Sequence, residues 1–312
     1  MKDSSSVFKG SFLPWLLLTP SLIILVIFLY YPMIQAWILS FHRENIFLGL
    51  RKFIGFGNYI GEFGIFTGKF APKYLQVIGQ SFIFSTIVVG LGLSLSVILA
   101  VLASQKIRGA RFYRLLLIWP FALSPAVAAT IFLFLFNPEV GAVNEVLHAL
   151  FGIRPRWLDN PILAFFLVSA AAVWKNLGYN VVFYLAALQN IPSELNEAAA
   201  IDGANPFQQF FKITLPMLSP MTFFLVFTNL AFSFFASYSI IDIITAGGPV
   251  GPAPFNNAGL TTTMIYQVTK DGFSGGGNTG LAAAMGNLIL LIVATLTFIQ
   301  FRYGSRDVQY GA

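Results

Sequence analysis

Apolar residues along this chain run in long continuous stretches, and the ionisable residues fall between them. Nothing ionised separates Lys9 from Arg43, Lys73 from Lys106, Arg114 from Glu139, Lys212 from Asp242 or Asp271 from Arg302. One further gap, Asp159 to Glu194, is interrupted only by Lys175. A charge at the centre of a bilayer costs several kcal/mol, and a helix of roughly 20 apolar residues crosses the hydrocarbon. The gaps therefore predict spanning helices over Trp15–Leu39, Val77–Ala103, Leu115–Phe136, Ile162–Leu188, Met217–Ile244 and Leu281–Phe301. Their continuity excludes the two-residue alternation of a membrane β-barrel. The expected fold class is all-α: a polytopic membrane protein with about six transmembrane helices, in one domain over 1–312.

Composition agrees. Of 312 residues, 57% are hydrophobic and 10% charged, against about 25% charged in a soluble domain. The 34 phenylalanines exceed what one water-enclosed core hides. With no cysteine and only His42 and His148, a disulfide framework is excluded and no Cys/His metal cluster is expected. The net charge of +6 has a topological reading, because Lys and Arg accumulate in cytoplasmic loops. No basic stretch is interleaved with a soluble fold, so no nucleic-acid partner is expected. Totals of Lys and Arg are nearly even on the two sides, but Lys106, Arg108, Arg111 and Arg114 crowd the loop between the second and third spans. That density places this loop and both termini in the cytoplasm, and segments 41–73, 137–160 and 246–280 outside. The first apolar stretch is too long for a signal-peptide core and lacks a small-residue cleavage site, so it is expected to stay as the first span.

One water-side segment, 191–216, has a distinct pattern: IPSELNEAAAIDGANPFQQFFKITLP. It predicts two short helices joined by a turn. Pro192 stands near the first start with Ser193 as its cap, and Glu194 and Glu197 suit the opening turns of a helix dipole. Ala198, Ala199 and Ala200 make a smooth face. Gly203 permits the left-handed turn that ends a helix. Asn205-Pro206 starts a second helix, expected to end before Leu215-Pro216. From the residues alone, a hairpin lying on the surface and a hairpin transmitting a mechanical push are both open.

Glu197-Ala198-Ala199, Gly203, Ile213 and Leu215-Pro216, in this spacing and before the penultimate span, resemble the EAA loop of binding-protein-dependent ABC importer permeases. The resemblance extends over nearly the whole chain. Arg108-Gly-Ala-Arg-Phe-Tyr-Arg114, Trp119-Pro120, Phe136-Asn137-Pro138, Trp174-Lys175, 185–192 and Gly247-Gly248-Pro249 are similar to sugar-type permeases of the maltose F class. The stretches RGARFYR, SPAVAATIFLFLFNP, EAAAIDGA and FRYGSRDVQY are most similar to the A-type permeases of sn-glycerol-3-phosphate uptake systems. One departure is Val250–Gly259, longer than the corresponding loop of that family.

The resemblance implies a type I ABC importer permease architecture in a prokaryotic inner membrane. It implies a non-catalytic transport subunit with four partners: a second homologous permease, two ATPase subunits and an external solute-binding protein. Glu197, Ala198, Ala199, Ala200, Asp202 and Gly203 would then dock the ATPase. No cofactor is expected in this chain, ATP and Mg being bound by the ATPase. Gly64–Lys69 superficially resembles a phosphate loop, but its spacing is one residue short and Phe70 stands where Ser or Thr is needed.

Inside the spans, Lys175 is open to two readings: it attracts an anionic solute, or it snorkels or pairs structurally. Asn176, Tyr179, Asn180, Asn229, Ser233 and Tyr238 either line a substrate path or bond helices together. Asp242 caps or pairs at the outer end of the fifth span, and Pro32, Pro120 and Pro125 are expected to kink helices. A phosphorylated glycerol or related phosphodiester is the solute implied, with a neutral mono-, di- or oligosaccharide as the alternative. A secondary transporter would need paired membrane acids and internal repeats, and an intramembrane enzyme a convergent catalytic set. The sequence presents neither pattern.

Overall fold

The computed structural model describes residues 12–45, 47–105, 108–274 and 277–304. The Ser-rich amino end, Lys106, Gly275-Gly276 and most of the terminal FRYGSRDVQY stretch lie outside the described residues. In chain order the helices are α1 (Trp15–Ser40), α2 (Ala71–Ser104), α3 (Ala110–Ala122), α4 (Pro125–Leu135), α5 (Ala142–Phe151) and α6 (Pro161–Leu188). They continue as α7 (Ser193–Ile201), α8 (Pro206–Gln209), α9 (Ser219–Ala236), α10 (Tyr238–Thr245), α11 (Met264–Thr269) and α12 (Thr279–Arg302). Helices α1, α2, α6, α9 and α12 are long and apolar enough to span a bilayer. The all-α expectation holds with one small addition, an antiparallel hairpin of β1 (His42–Asn45) and β2 (Leu50–Phe53), pairing His42 with Phe53.

The third predicted span is not one rod. Helices α3 and α4 meet at 103°. Leu123 and Ser124 both adopt extended backbone, at ψ 149° and 151°, because Pro125 disfavours helix in the residue before it and offers no N–H. Ser124 Oγ then accepts from Val127 N at 3.2 Å and starts α4 afresh. Pro120, expected to kink, stays within the last turn of α3. Pro32 likewise leaves α1 continuous, since a π turn at Val26–Tyr30 precedes it and absorbs the missing donor. The fifth predicted span divides at Ser237, whose buried hydroxyl donates to the Ser233 carbonyl at 2.9 Å.

Helix α2 is the central post. It contributes Tyr74 and Val77 to one apolar cluster, Phe84 and Val88 to a second, and Leu93, Val97 and Ala100 to a third. The same three clusters draw in α6, α9, α10, α11 and α12, so the interior is one stack along α2. Helix α3 lies against α6 at Gly178, where a Cβ would stand 2.8 Å from the Ile118 carbonyl oxygen. A side chain there would prevent that approach.

Candidate functional site

The segment after α6 leaves the bundle through a tight turn, with Ile191 N donating to Leu188 O at 3.3 Å. Helix α7 starts with Pro192 at its cap position and no side-chain cap, so Ser193 is the first helical residue rather than the cap. The end of α7 is fully specified. Gly203 sits at φ +81°, its N–H donating to Ala200 O at 3.1 Å, while Ala204 N donates to Ala199 O at 2.9 Å. These paired bonds satisfy the last carbonyls and require the left-handed residue that glycine supplies. Asn205 and Gln208 then form a reciprocal capping box: Gln208 N donates to Asn205 Oδ1 at 2.8 Å, and Asn205 N to Gln208 Oε1 at 3.0 Å. The Asn-Pro-Phe-Gln spacing carries that signal in the sequence.

Helix α7 buries none of its residues. Glu197, Ala198, Ala200, Asp202 and Gly203 are exposed, and Ala199 is half-buried. Two neighbours escaped the sequence reading: Ile201 is 87% exposed and Phe207 72%. Large apolar side chains on a polar water-side hairpin are the usual anchors of a protein interface, and they were legible as the apolar exceptions in an otherwise polar stretch.

The second arm does not end before Leu215-Pro216. From Pro206 it passes through a π turn, Phe210–Thr214, into Leu215–Met217 and on to α9 with helical backbone at each junction. The π turn upstream accommodates Pro216 as the turn before Pro32 does. The hairpin is thus mechanically continuous with a membrane helix. Between it and the ends of α2, α3 and α6 lies a cleft of about 580 Å³, lined in part by Ser104, Gln105, Arg114, Gln189, Asn196 and Gln209. Arg114 Nε donates to Ala103 O at 3.0 Å, so the basic loop and the hairpin occupy the same end of the bundle.

Deeper in, α9 meets α6 through amides. Asn229 Oδ1 accepts from Asn176 at 2.6 Å and from Asn180 at 3.1 Å, and Asn229 Nδ2 donates to Asn180 Oδ1 at 2.8 Å and Leu225 O at 2.8 Å. Ser233 bonds Ser85 of α2 at 2.7 Å. All five side chains are buried, so Asn176, Asn180, Asn229 and Ser233 act within this chain as bonds between helices. Tyr179 is half-buried and forms an aromatic file with Phe121 and Phe183, at 5.2 and 4.7 Å between centroids. Tyr238 stacks on Tyr266 near Asp242 at the far end, with centroids 5.8 Å apart, away from the amide group. Lys175 Nζ donates to the Phe121 carbonyl at 2.9 Å and lies 4.7 Å from the Phe121 ring centroid.

Residues 92–309 match the family model described as "Binding-protein-dependent transport system inner membrane component". The sn-glycerol-3-phosphate transport system permease protein UgpA of Pectobacterium atrosepticum is 42% identical over 310 residues, covering 99% of this chain and all of that one. The protein of the same name from Yersinia pseudotuberculosis is 41% identical over 312 residues, again with 99% and 100% coverage. Among solved structures, a chain of the bacterial alginate ABC transporter in complex with an alginate pentasaccharide-bound periplasmic protein aligns with a TM-score of 0.76. It covers 96% of both chains at 21% identity, a likeness of fold.

Proposed function

This chain belongs to the binding-protein-dependent transport system inner membrane components, and from that premise we propose that it forms half of an ATP-driven import path for sn-glycerol 3-phosphate or a related phosphodiester. The solute follows from full-length similarity to permeases of that name. The other half of the path is a second, homologous permease. Two ATPase subunits bind ATP and Mg, and one of them grips the hairpin at Glu197, Ala198–Ala200, Asp202 and Gly203. An external binding protein delivers the solute, and both termini of this chain face the cytoplasm with the hairpin.

The observation that carries this reading is the helical course from Pro206 into α9, interrupted by one turn residue, Leu218. A push on the exposed hairpin moves the arm joined to α9. The Asn229 amide group then takes α6 with it, and the Ser233 hydroxyl takes α2. Packed elements of this kind shift between discrete arrangements rather than deforming smoothly. Tyr179, half-buried beside the break between α3 and α4, is the path candidate that this packing leaves most accessible to that motion.

One observation favours a second solute class. Lys175, the cation within α6, is engaged by the Phe121 carbonyl, which suits a neutral saccharide. Uptake of labelled sn-glycerol 3-phosphate, competed by neutral saccharides, tests both in cells expressing the complete transporter. The proposal expects ATP-dependent accumulation of the phosphate ester. Accumulation driven by an ion gradient by this chain alone would overturn it.

A further inference from the structure

In helix α5, Val143, Val146, Leu147 and Leu150 recur at three- and four-residue spacing and form one apolar stripe, with Asn144, Glu145 and His148 on the other side. A helix lying over water turns such a stripe toward the protein. Here the order is reversed. Asn144 is the buried residue of α5, 1% exposed, while Val146 is 57% and Leu150 69% exposed. Val143 and Leu147 are half-buried at the edge of the stripe, and exposed Phe151 and Ile153 extend it past the helix.

This orientation is locked. Asn144 Nδ2 donates to Pro138 O at 3.0 Å and to Pro155 O at 3.1 Å, and Asn144 Oδ1 accepts from Trp157 Nε1 at 2.8 Å. The Trp157 ring meets Phe136, just past α4, edge-on at 5.2 Å between centroids. Before the helix, Asn137 Oδ1 accepts from Glu139 N and Val140 N at 2.9 and 3.2 Å. After it, Gly152 at φ +70° donates its N–H to His148 O at 2.9 Å. One buried amide thus ties both flanks of α5 together. The helix cannot roll its stripe inward without breaking those three side-chain bonds.

Two helices fix the side on which α5 stands. Helix α6 begins at Pro161, just after this segment, and ends at Leu188 beside the hairpin. At about 1.5 Å per residue its ends lie about 40 Å apart, more than the roughly 30 Å of hydrocarbon. Along α2, Gln76 near the start donates to Phe255 O at 3.1 Å, while Ser104 at the end lines the cleft behind the hairpin. These points are also about 40 Å apart by the same rise. Segments 137–160 and 252–257 therefore stand across the bilayer from the hairpin.

The surroundings of the stripe identify what covers it. It lies between the last turn of α4, where Phe134 is exposed, and the first turns of α6, where Ile162 and Phe166 are exposed. The stripe thus continues the apolar surface that both spans present at this end of the bundle. Trp157 is the residue type that gathers at the membrane–water boundary. The nearby ions are paired among themselves, Arg154 with Glu145 at 3.1 Å and Arg156 with Asp159 at 2.6 Å. A short helix with its apolar face free and a polar face turned from it suits the plane of a lipid interface.

We propose that α5 is an interfacial membrane anchor, with Val146 and Leu150 seated among the acyl chains of the outer leaflet and Val143 and Leu147 at their edge. Because Asn144 and Trp157 bond it to both flanks, the helix holds the outer ends of α4 and α6 at one depth. The choice of leaflet rests on the cytoplasmic hairpin above; the lipid contact itself does not.

The test uses the complete transporter in proteoliposomes, with an environment-sensitive fluorescent amino acid encoded at position 150 of this chain or, on the opposite face, at position 145. Phospholipids brominated near the head of their acyl chains are the quencher, in both leaflets. Quenching at least threefold stronger at 150 than at 145 is expected, with and without the solute-binding protein. Equal quenching at the two positions, or quenching at 150 that vanishes when the binding protein is added, overturns the proposal. An independent readout places a photoreactive phenylalanine analogue at position 150 in cells. A phospholipid adduct, identified by mass spectrometry, is expected, and an adduct with the second permease or the binding protein overturns the proposal. Neither readout depends on ATP or on solute, so the anchor and the importer reading fail separately.

Discussion

Lys175 Nζ donates to the carbonyl of Phe121 at 2.9 Å, and that carbonyl is one the helix cannot satisfy itself. Its partner in a continuing helix would be the N–H of residue 125, and residue 125 is proline. The ammonium of α6 stands in for the missing amide, at the corner where α3 and α4 diverge by 103°. Lys175 thus holds the bend, and the Phe121 ring beside it adds a cation–π contact.

Lys175→Met should therefore destabilise the transporter by about 1 kcal/mol or more, the cost of leaving a part-buried acceptor unpaired, seen as a lower melting temperature of the purified complex. Lys175→Gln keeps a donor and should lose less. Both should retain the KM for solute uptake within about twofold. A tenfold rise in KM for an anionic solute with Gln, at unchanged melting temperature, would instead put the ammonium on the solute.

Asn229→Leu removes three amide bonds between α9 and α6, two to its Oδ1 and one from its Nδ2. Side-chain bonds between membrane helices average about 0.6 kcal/mol each, so a loss of about 2 kcal/mol is expected in thermal unfolding. The same variant should slow transport more than it weakens solute affinity, because the amides join α9 to α6. Loss of affinity at normal stability would place Asn229 on the path.

Gly178→Ala puts a methyl 2.8 Å from the Ile118 carbonyl oxygen and 2.9 Å from that of Leu117. Backbone on both sides must move, at a cost of about 1–3 kcal/mol. Reduced expression and a lower melting temperature are the expected readouts; a neutral outcome would mean that α3 and α6 stand further apart in the membrane.

The spans were legible because charge is excluded from hydrocarbon, and α1, α2, α6 and α12 fall within a few residues of the uncharged runs. What the runs do not encode is what a proline does within them. Pro120 and Pro32 remain in helices while Pro125 turns the chain; a π turn absorbs Pro32, and nothing in the apolar run itself marks Pro125 as the corner. The same ambiguity hid the continuation of the hairpin past Pro216. The hairpin was readable from Gly203 and the flanking helix signals, but the destination of the buried amides was not. Asn176, Asn180 and Asn229 have the same residue type whether they face a cavity or each other, and only packing decides.

The sidedness can be read directly because the chain has no cysteine. Single substitutions Asp202→Cys and Asn256→Cys should label with an impermeant maleimide from opposite faces, Asn256→Cys in intact cells after permeabilisation of any outer membrane and Asp202→Cys only once the inner membrane is opened. Labelling of both from one side would contradict the opposition along α2.

The central claim is that the hairpin turned at Gly203 carries work from the ATPase into α9. Gly203→Val forces a β-branched residue into a left-handed conformation, with strain of at least about 1–2 kcal/mol, where nothing else crowds the site. In proteoliposomes holding the complete transporter, ATP-driven uptake at saturating binding protein is the measurement. The account predicts that Gly203→Val combined with Glu197→Lys lowers uptake at least tenfold while the bundle melts as the parent does. Uptake at the parental rate from an equally stable variant would contradict it.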